Sequence, residues 1–366
     1  MSPKAKLLIG VVMTLSLLFG FLDSIWPEAY LSFKRLHIFG FNLLIGGSLI
    51  LYYTEGASIV TTRVRVYFAV ALLYALFAAA GWYVPTLILS LPLLVLVESL
   101  RITRFSFFPW DFFRGDVATS RKFNQAALLC LSMGIVMASL VILNNEYLEL
   151  ISYEKLTLEV FFLGYSFPVS LITMSVMFSF MTERQGRLVS ILNEIGFWFV
   201  NLGVIIFFVF IIFGLLIPQI VVATTLFLTV WMIFFLFLAT APKVQQKTFL
   251  VSGMVFLLFT ALTGILYILK YFYPPLVEYH DHILVLHAMV SLYGWNLSGL
   301  FIIMRWNDFP IRLNSALAIT LHWTIVLVLA PLGKDVLPVS LLAMVAYVAL
   351  LLIVLRGRAS QASEVG

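Results

Sequence analysis

The sequence predicts an all-α integral membrane protein with about twelve transmembrane helices, and three observations indicate this fold. Of the 366 residues, 63% are hydrophobic and only 11% are charged, whereas a soluble domain carries about 25% charged residues. Apolar runs of about 20 residues, long enough to cross a bilayer as a helix, follow one another along the whole chain. The lysines and arginines concentrate in alternate loops, as expected of a chain that crosses a membrane repeatedly.

Each apolar run can form one membrane helix, and the segments between the runs are too short for an independent soluble domain. We place the spans near residues 7–22, 36–53, 64–80, 84–100, 124–143, 157–181, 195–216, 220–240, 249–270, 283–304, 315–332 and 336–355. Residues 1–366 are therefore predicted to form a single transmembrane helical domain, with the lipid bilayer as its principal partner.

The distribution of basic residues predicts the orientation. With the N-terminus inside, 17 of the 22 lysines and arginines fall in inner segments and five in outer segments. Because cytoplasmic loops are enriched in Lys and Arg, both termini should be cytoplasmic, in a multi-pass protein of a cell membrane such as the bacterial inner membrane. The basic residues form no continuous face, which argues against nucleic acid as a partner. The single cysteine, Cys130, excludes an internal disulfide and a cysteine-based metal cluster.

The second and tenth spans carry the same short pattern at their predicted outer ends. The second reads RLHIFGFNLLIGGS and the tenth reads VLHAMVSLYGWNLSG. Each contains Leu-His followed by aromatic-Gly-aromatic-Asn-Leu, at residues 39–43 and 293–297. The separation from His to Asn is five residues in one span and nine in the other. The difference is about one helical turn, so the two patterns are expected at similar angular positions.

Gly40, Leu44 and Ser48 share a helix face with His37, and Ser291, Gly294 and Ser298 share one with His287. The face of the tenth helix is built from small and polar residues, which favour contact with a neighbouring helix or a flat ligand rather than lipid. A histidine within a span normally faces the protein interior or a cavity. We therefore expect both imidazoles to point inward.

Neutral histidine is a common ligand of iron, copper and zinc. Two histidines from the second and tenth helices could hold a b-type haem iron axially or bind a transition metal, with a glycine near each ligand leaving room for the macrocycle. The alternative is that each is a hydrogen-bonded or interfacial residue, the commoner role of a single histidine near a helix end. The candidate cofactor-binding residues are His37, Gly40, Asn42, His287, Gly294 and Asn296.

Two further histidines are candidate metal ligands. His282 lies with His280 and Asp281 in the loop before the tenth span, and this His-Asp-His pattern could bind a divalent metal or shuttle protons. A solvated loop is the preferred interpretation, because the spacing is short and unspecific. His322 lies near the middle of the eleventh span. It is either a third ligand or a hydrogen-bonded interior residue, and we favour the second role.

Chemistry other than ligation has little support in the sequence. No carboxylate lies at the midpoint of a span, which disfavours a proton- or ion-coupled transporter. No phosphate-binding loop, zinc-protease motif or nucleophile elbow is present, and no catalytic residue is predicted. Two alternatives remain: a small-solute transporter or channel, given Asn42, Asn201, Asn296 and Pro168 within spans, and a non-catalytic assembly factor. No protein partner can be identified from the sequence.

Twelve spans with His37 in the second and His287 in the tenth resemble the catalytic subunit of haem–copper oxidases and the related NnrS family of nitric-oxide-response membrane proteins. The resemblance implies that His37 and His287 ligate a low-spin haem, with His282 a further candidate. The oxidases also carry copper-ligating histidines on the sixth and seventh helices, and no histidine is present at residues 157–181 or 195–216. The resemblance therefore implies a redox, sensing or nitric-oxide-handling role without oxygen reduction.

Overall fold

The computed structural model describes residues 1–26, 30–150, 160–181 and 186–358, which form helices and no β-strand. Eleven helices in this part of the chain are long and apolar enough to cross a membrane. They are α1 (Pro3–Ile25), α2 (Phe33–Thr54), α3 (Thr62–Ala79), α4 (Tyr83–Arg104), α5 (Thr119–Leu148), α7 (Arg187–Ile212), α8 (Leu216–Thr240), α9 (Gln245–Leu269), α10 (His280–Met304), α11 (Ser315–Gly333) and α12 (Leu337–Arg356). A further apolar helix, α6, comprises a π-helical segment, Val160–Ser166, and an α-helix, Phe167–Ser179.

The predicted all-helical architecture is confirmed, and so is a multi-pass membrane protein. The helices fall on the predicted spans, with differences of up to eight residues at their ends. The beginning of the sixth span and part of the loop before it lie at residues 151–159, outside the described residues. The cytoplasmic placement of both termini stays a prediction.

Large apolar side chains on the outer faces of these helices are exposed, as a lipid environment requires. On α4, Leu91 and Val95 are both 64% exposed, and on α12, Leu341 and Val345 are 60% and 68% exposed. Soluble proteins rarely expose continuous apolar surface of this kind. The opposite faces are packed inside the protein. Burial is greatest on α2, where 83% of the residues in its apolar 18-residue stretch are buried.

The chain divides into two compact units, residues 1–172 and 173–366, with the division inside α6. In the first unit, α1 packs on α2, α3 on α4, and α5 on the first half of α6. In the second unit, α7, α8, α9 and α10 pack in sequence, each on the next, and α11 packs on α12. Helices consecutive in sequence are thus mostly neighbours in space, as expected for spans joined by short loops. The prediction of a single domain is not tested by this division.

Several helices begin at a polar residue whose side chain accepts from the first turn. The Ser32 hydroxyl accepts from the Arg35 amide at 3.4 Å, Thr61 accepts from Val64 at 3.3 Å, and Asn314 accepts from Leu317 at 3.2 Å. Each bond satisfies an amide that has no partner within its own helix. These caps fix where α2, α3 and α11 begin.

Two glycines allow α5 and α6 to approach each other closely. A Cβ atom on Gly164 would lie 2.7 Å from the Gly134 Cα atom, and one on Gly134 would collide with the Gly164 backbone. Since both obstacles are backbone atoms, neither can rotate away. Small residues at such crossings let membrane helices gain packing contacts that larger residues prevent.

We expect Gly134→Ala to destabilise the protein by about 1–3 kcal/mol, because the added methyl group must push α5 and α6 apart. The unfolding midpoint of the detergent-solubilised protein, in heat or in SDS, measures this loss. The matched control is Gly115→Ala, since nothing lies within 4 Å of the position of its Cβ atom. Equal midpoints for the two variants would contradict the close approach of these helices.

Candidate functional site

His37 of α2 forms a hydrogen bond with the backbone of α1. Its Nδ1 atom lies 2.8 Å from the Ser16 carbonyl oxygen. A carbonyl oxygen only accepts, so this contact places the proton on Nδ1 and leaves Nε2 as the lone-pair nitrogen. Gly20, one turn further along α1, faces the ring, and a Cβ atom there would lie 2.8 Å from Nδ1. The imidazole is held in one tautomer and fits closely against α1.

His287 of α10 has the same arrangement with α9. Its Nδ1 atom lies 3.0 Å from the Thr260 carbonyl oxygen and 3.1 Å from the Thr263 hydroxyl oxygen. The Thr263 hydroxyl also lies 2.7 Å from the Phe259 carbonyl oxygen, to which it donates. Gly264 faces the ring, and a Cβ atom there would lie 3.4 Å from the imidazole Cε1 atom. Here too the proton is on Nδ1 and the lone pair on Nε2.

The two histidine environments share a short pattern on the helix that precedes each histidine. A hydroxyl residue provides the accepting carbonyl group, and a glycine four residues later makes room for the ring: Ser16 with Gly20, and Thr260 with Gly264. Four residues are about one helical turn, so the carbonyl and the glycine lie on the same face. These four residues were missed in the sequence, where a hydroxyl residue and a glycine four apart are too common to be noticed alone.

The Gly-aromatic-Asn pattern lies in π-helical segments. Residues 40–42 fall in Phe39–Gly46 of α2, and residues 294–296 fall in Val290–Asn296 of α10. The same segment type in α6, Val160–Ser166, contains Gly164-Tyr165-Ser166, a third version of the triplet. The sequence analysis missed it because Ser replaces Asn and no histidine precedes it. π-Helical turns are rare and occur often at functional sites.

The glycines of the triplets contact the preceding helix. A Cβ atom on Gly40 would collide with the Ser16 side chain of α1, and one on Gly294 would lie 2.5 Å from the Phe256 ring of α9. The glycine of α6 contacts α5 in the same way. In this structure the expected space beside Gly40 and Gly294 is filled by a neighbouring helix. Both residues therefore bring helices together.

The two asparagines are buried within the spans. Asn42 is 3% exposed and donates through Nδ2 to the Ile38 carbonyl oxygen at 3.2 Å, which is a bond within its own helix. Asn296 is 1% exposed. The hydrogen bond of Asn42 satisfies a carbonyl at the start of the π-helical segment.

His322 of α11 and Tyr67 of α3 bond to carbonyl oxygens of π-helical segments. His322 is 3% exposed, and its Nε2 atom lies 2.5 Å from the Tyr293 carbonyl oxygen of α10. The Tyr67 hydroxyl donates to the Leu43 carbonyl oxygen of α2 at 3.1 Å. Each side chain adds a hydrogen bond to a carbonyl oxygen in an environment where lipid offers none. In both cases the donor comes from the following helix.

His280 and His282 lie at the beginning of α10, where no cluster of metal ligands forms around them. The Lys270 ammonium lies 2.7 Å from Nδ1 of His280. The His282 side chain is 74% exposed, and its Nε2 atom lies 3.9 Å from a carboxylate oxygen of Asp335. Among the described residues, no group of three or more His, Cys, Asp or Glu side chains is arranged to hold a metal ion. A metal role for His282 or His322 stays a prediction.

Comparison of the chain with protein-family models, with curated proteins and with solved structures finds no match.

Tyr67 and Tyr347 provide a matched test of the bonds to π-helical carbonyls. Tyr67→Phe removes a buried donor from the Leu43 carbonyl oxygen and should lower the free energy of unfolding by about 1 kcal/mol. Tyr347 is also fully buried, but its hydroxyl has no hydrogen-bond partner among the described residues. Tyr347→Phe should therefore be neutral or stabilising, because it removes an unsatisfied polar atom. Chemical unfolding in detergent measures both changes, and a larger loss in Tyr347→Phe would contradict the role given to Tyr67.

Proposed function

We propose that this multi-pass membrane protein binds a b-type haem, or failing that a transition metal, through Nε2 of His37 and Nε2 of His287. The observation that carries the proposal is the hydrogen bond from each Nδ1 to a backbone carbonyl oxygen. Histidines that ligate metals almost always donate their other ring N–H to a carbonyl, a carboxylate or water, which fixes the tautomer and makes the ligating nitrogen more basic.

The donor set favours haem over a metal bound by protein alone. A haem iron takes four nitrogens from its macrocycle and needs only one or two axial ligands from the protein. Zinc sites use three or four protein ligands. Two imidazoles, each bonded to the backbone of the preceding helix, are therefore better suited to bind a haem iron than a zinc ion. The resemblance of the second and tenth spans to those of haem–copper oxidases supports the same assignment.

The proposed role is redox, sensing or nitric-oxide handling, and it excludes oxygen reduction. The sequence lacks histidines at the sixth and seventh spans, where the oxidases bind copper. His37 and His287 would hold the haem, which would supply one-electron transfer while both imidazoles stay bound. Binding of carbon monoxide to the reduced protein therefore separates a sensing role from electron transfer.

The absorption spectrum of protein purified from haem-replete cells tests the proposal. We expect a Soret band in the wild-type protein and its loss or a large shift in His37→Ala and in His287→Ala, because each removes an axial ligand. His280→Ala is the matched control, since that imidazole is engaged with Lys270. A colourless and metal-free wild-type preparation would contradict haem binding, and an unchanged spectrum in both ligand variants would contradict these ligands.

The two glycines that face the imidazoles allow a graded test of the same proposal. A methyl group at Gly20 would lie 2.8 Å from Nδ1 of His37, whereas one at Gly264 would lie 3.4 Å from the ring of His287. Gly20→Ala should therefore displace its imidazole and weaken haem retention, while Gly264→Ala should be close to wild type. Haem content per protein and the low-spin signal in electron paramagnetic resonance measure the difference. The reverse order of the two variants would argue against the geometry at His37.

A further inference from the structure

A cavity in the first unit lies between the beginning of α2, α3, the beginning of α4 and the end of α5. Its volume is about 60 Å³, and it is open on one side. Its polar end contains Arg35, Tyr83 and Glu146, and its walls are apolar, with Phe39 and Val141 among the lining residues. Arg35 and Phe39 are four residues apart and share a face, whereas His37 between them is about 200° away. The cavity is therefore separate from the face of α2 that carries His37.

Arg35 contributes a cation whose charge has no carboxylate partner in the described part of the chain. One terminal nitrogen of its guanidinium donates to the Ala78 carbonyl oxygen at 2.8 Å and to the Tyr83 hydroxyl oxygen at 3.1 Å. The guanidinium also lies over the Tyr83 ring, 5.4 Å from its centroid. The remaining N–H donors form a planar fork of the kind that binds a phosphate through two hydrogen bonds.

Glu146 contributes a carboxylate to the same cavity. No cation lies within ion-pair distance of it among the described residues, and its distance from Arg35 is greater than 4 Å. The cavity therefore holds a positive and a negative group that form no ion pair with each other. A ligand with an anion beside Arg35 and a cation beside Glu146 matches both charges.

The apolar walls and the neighbouring surface of α5 indicate that this ligand has acyl chains. Ala138, Val141 and Ile142 line the cavity. The adjacent face of α5 is exposed and apolar, with Met137 43% and Leu140 52% exposed. A lipid in the surrounding bilayer can therefore reach the cavity from the side and lay a chain along α5. A water-soluble zwitterion would not use these walls.

We propose that this cavity binds the headgroup of phosphatidylethanolamine, with the phosphate on Arg35 and Tyr83 and the ammonium group beside Glu146. The proposal is independent of haem binding, because it uses a different face of α2 and is measured by lipid content. It predicts both retention of a lipid and selectivity for a zwitterionic headgroup over an anionic one. Basic pockets between membrane helices are known to bind anionic lipid headgroups, and the carboxylate of Glu146 distinguishes this cavity from them.

Native mass spectrometry of the full-length protein in detergent, titrated with phosphatidylethanolamine or phosphatidylglycerol, tests the site. The wild-type protein should retain about one phosphatidylethanolamine per chain. R35Q should weaken this binding by about tenfold or more, because charged hydrogen bonds to the phosphate are lost. K34Q is the matched control: it removes the charge of the next residue, whose side chain is exposed and outside the cavity.

The exposed residue Glu146 provides a variant that should fold normally. E146Q should lower the preference for phosphatidylethanolamine over phosphatidylglycerol, by about fivefold at most, because an exposed charge pair is weak. R35K should bind less tightly than wild type, because an ammonium group does not form the fork. Wild-type retention in R35Q, an equal loss in K34Q, or unchanged selectivity in E146Q would overturn the proposal. Competition by glycerophosphoethanolamine at the affinity of the lipid would overturn it as well, since that probe has no acyl chains.

Discussion

The constraint on which this structure depends is that every backbone polar group in a bilayer must find its partner within the protein. Regular α-helices satisfy it by themselves, and in the π-helical segments of α2 and α10 side chains add further bonds. The Tyr67 hydroxyl donates to the Leu43 carbonyl oxygen, and the His322 imidazole bonds to the Tyr293 carbonyl oxygen. An interior polar side chain in this protein is therefore first a partner of the backbone, and any further role must be compatible with that bond.

For His37 and His287 the two roles are compatible because an imidazole has two different nitrogens. The bond to the carbonyl oxygen of Ser16 or Thr260 uses Nδ1 and satisfies the ring's donor. The same bond turns the lone pair of Nε2 away from the helix that provides the carbonyl. His322 differs, because its Nε2 atom is the one engaged with the backbone. The structure thus separates two histidines that bond to the backbone through Nδ1 from one that bonds through Nε2, a distinction that depends on tautomer and orientation.

Hydrophobicity was sufficient to predict the fold, whereas the sites depended on details of helix geometry. The apolar run predicted at 84–100 became Tyr83–Arg104, and that predicted at 283–304 became His280–Met304, where polar residues form the first turn. The shared face of His287, Gly294 and Ser298 was predicted correctly, since all three contact α9. The sequence could not reveal that a helix rather than a ligand lies beside Gly294. Nor could it reveal π-helical segments, because composition differs little between π and α turns.

The α5–α6 pair shows that close helix packing in this protein does not require a histidine. Gly164 lies against Gly134, and this approach is as close as those of Gly40 to α1 and Gly294 to α9. His37 lies three residues before Gly40, and His287 lies seven residues before Gly294. At the same two distances before Gly164 the sequence has Phe161 and Thr157 instead of a histidine. Since the glycine contacts and the π-helical segment form here without an imidazole, packing alone does not explain why the other two pairs carry one. The proposed ligand role of His37 and His287 accounts for the difference.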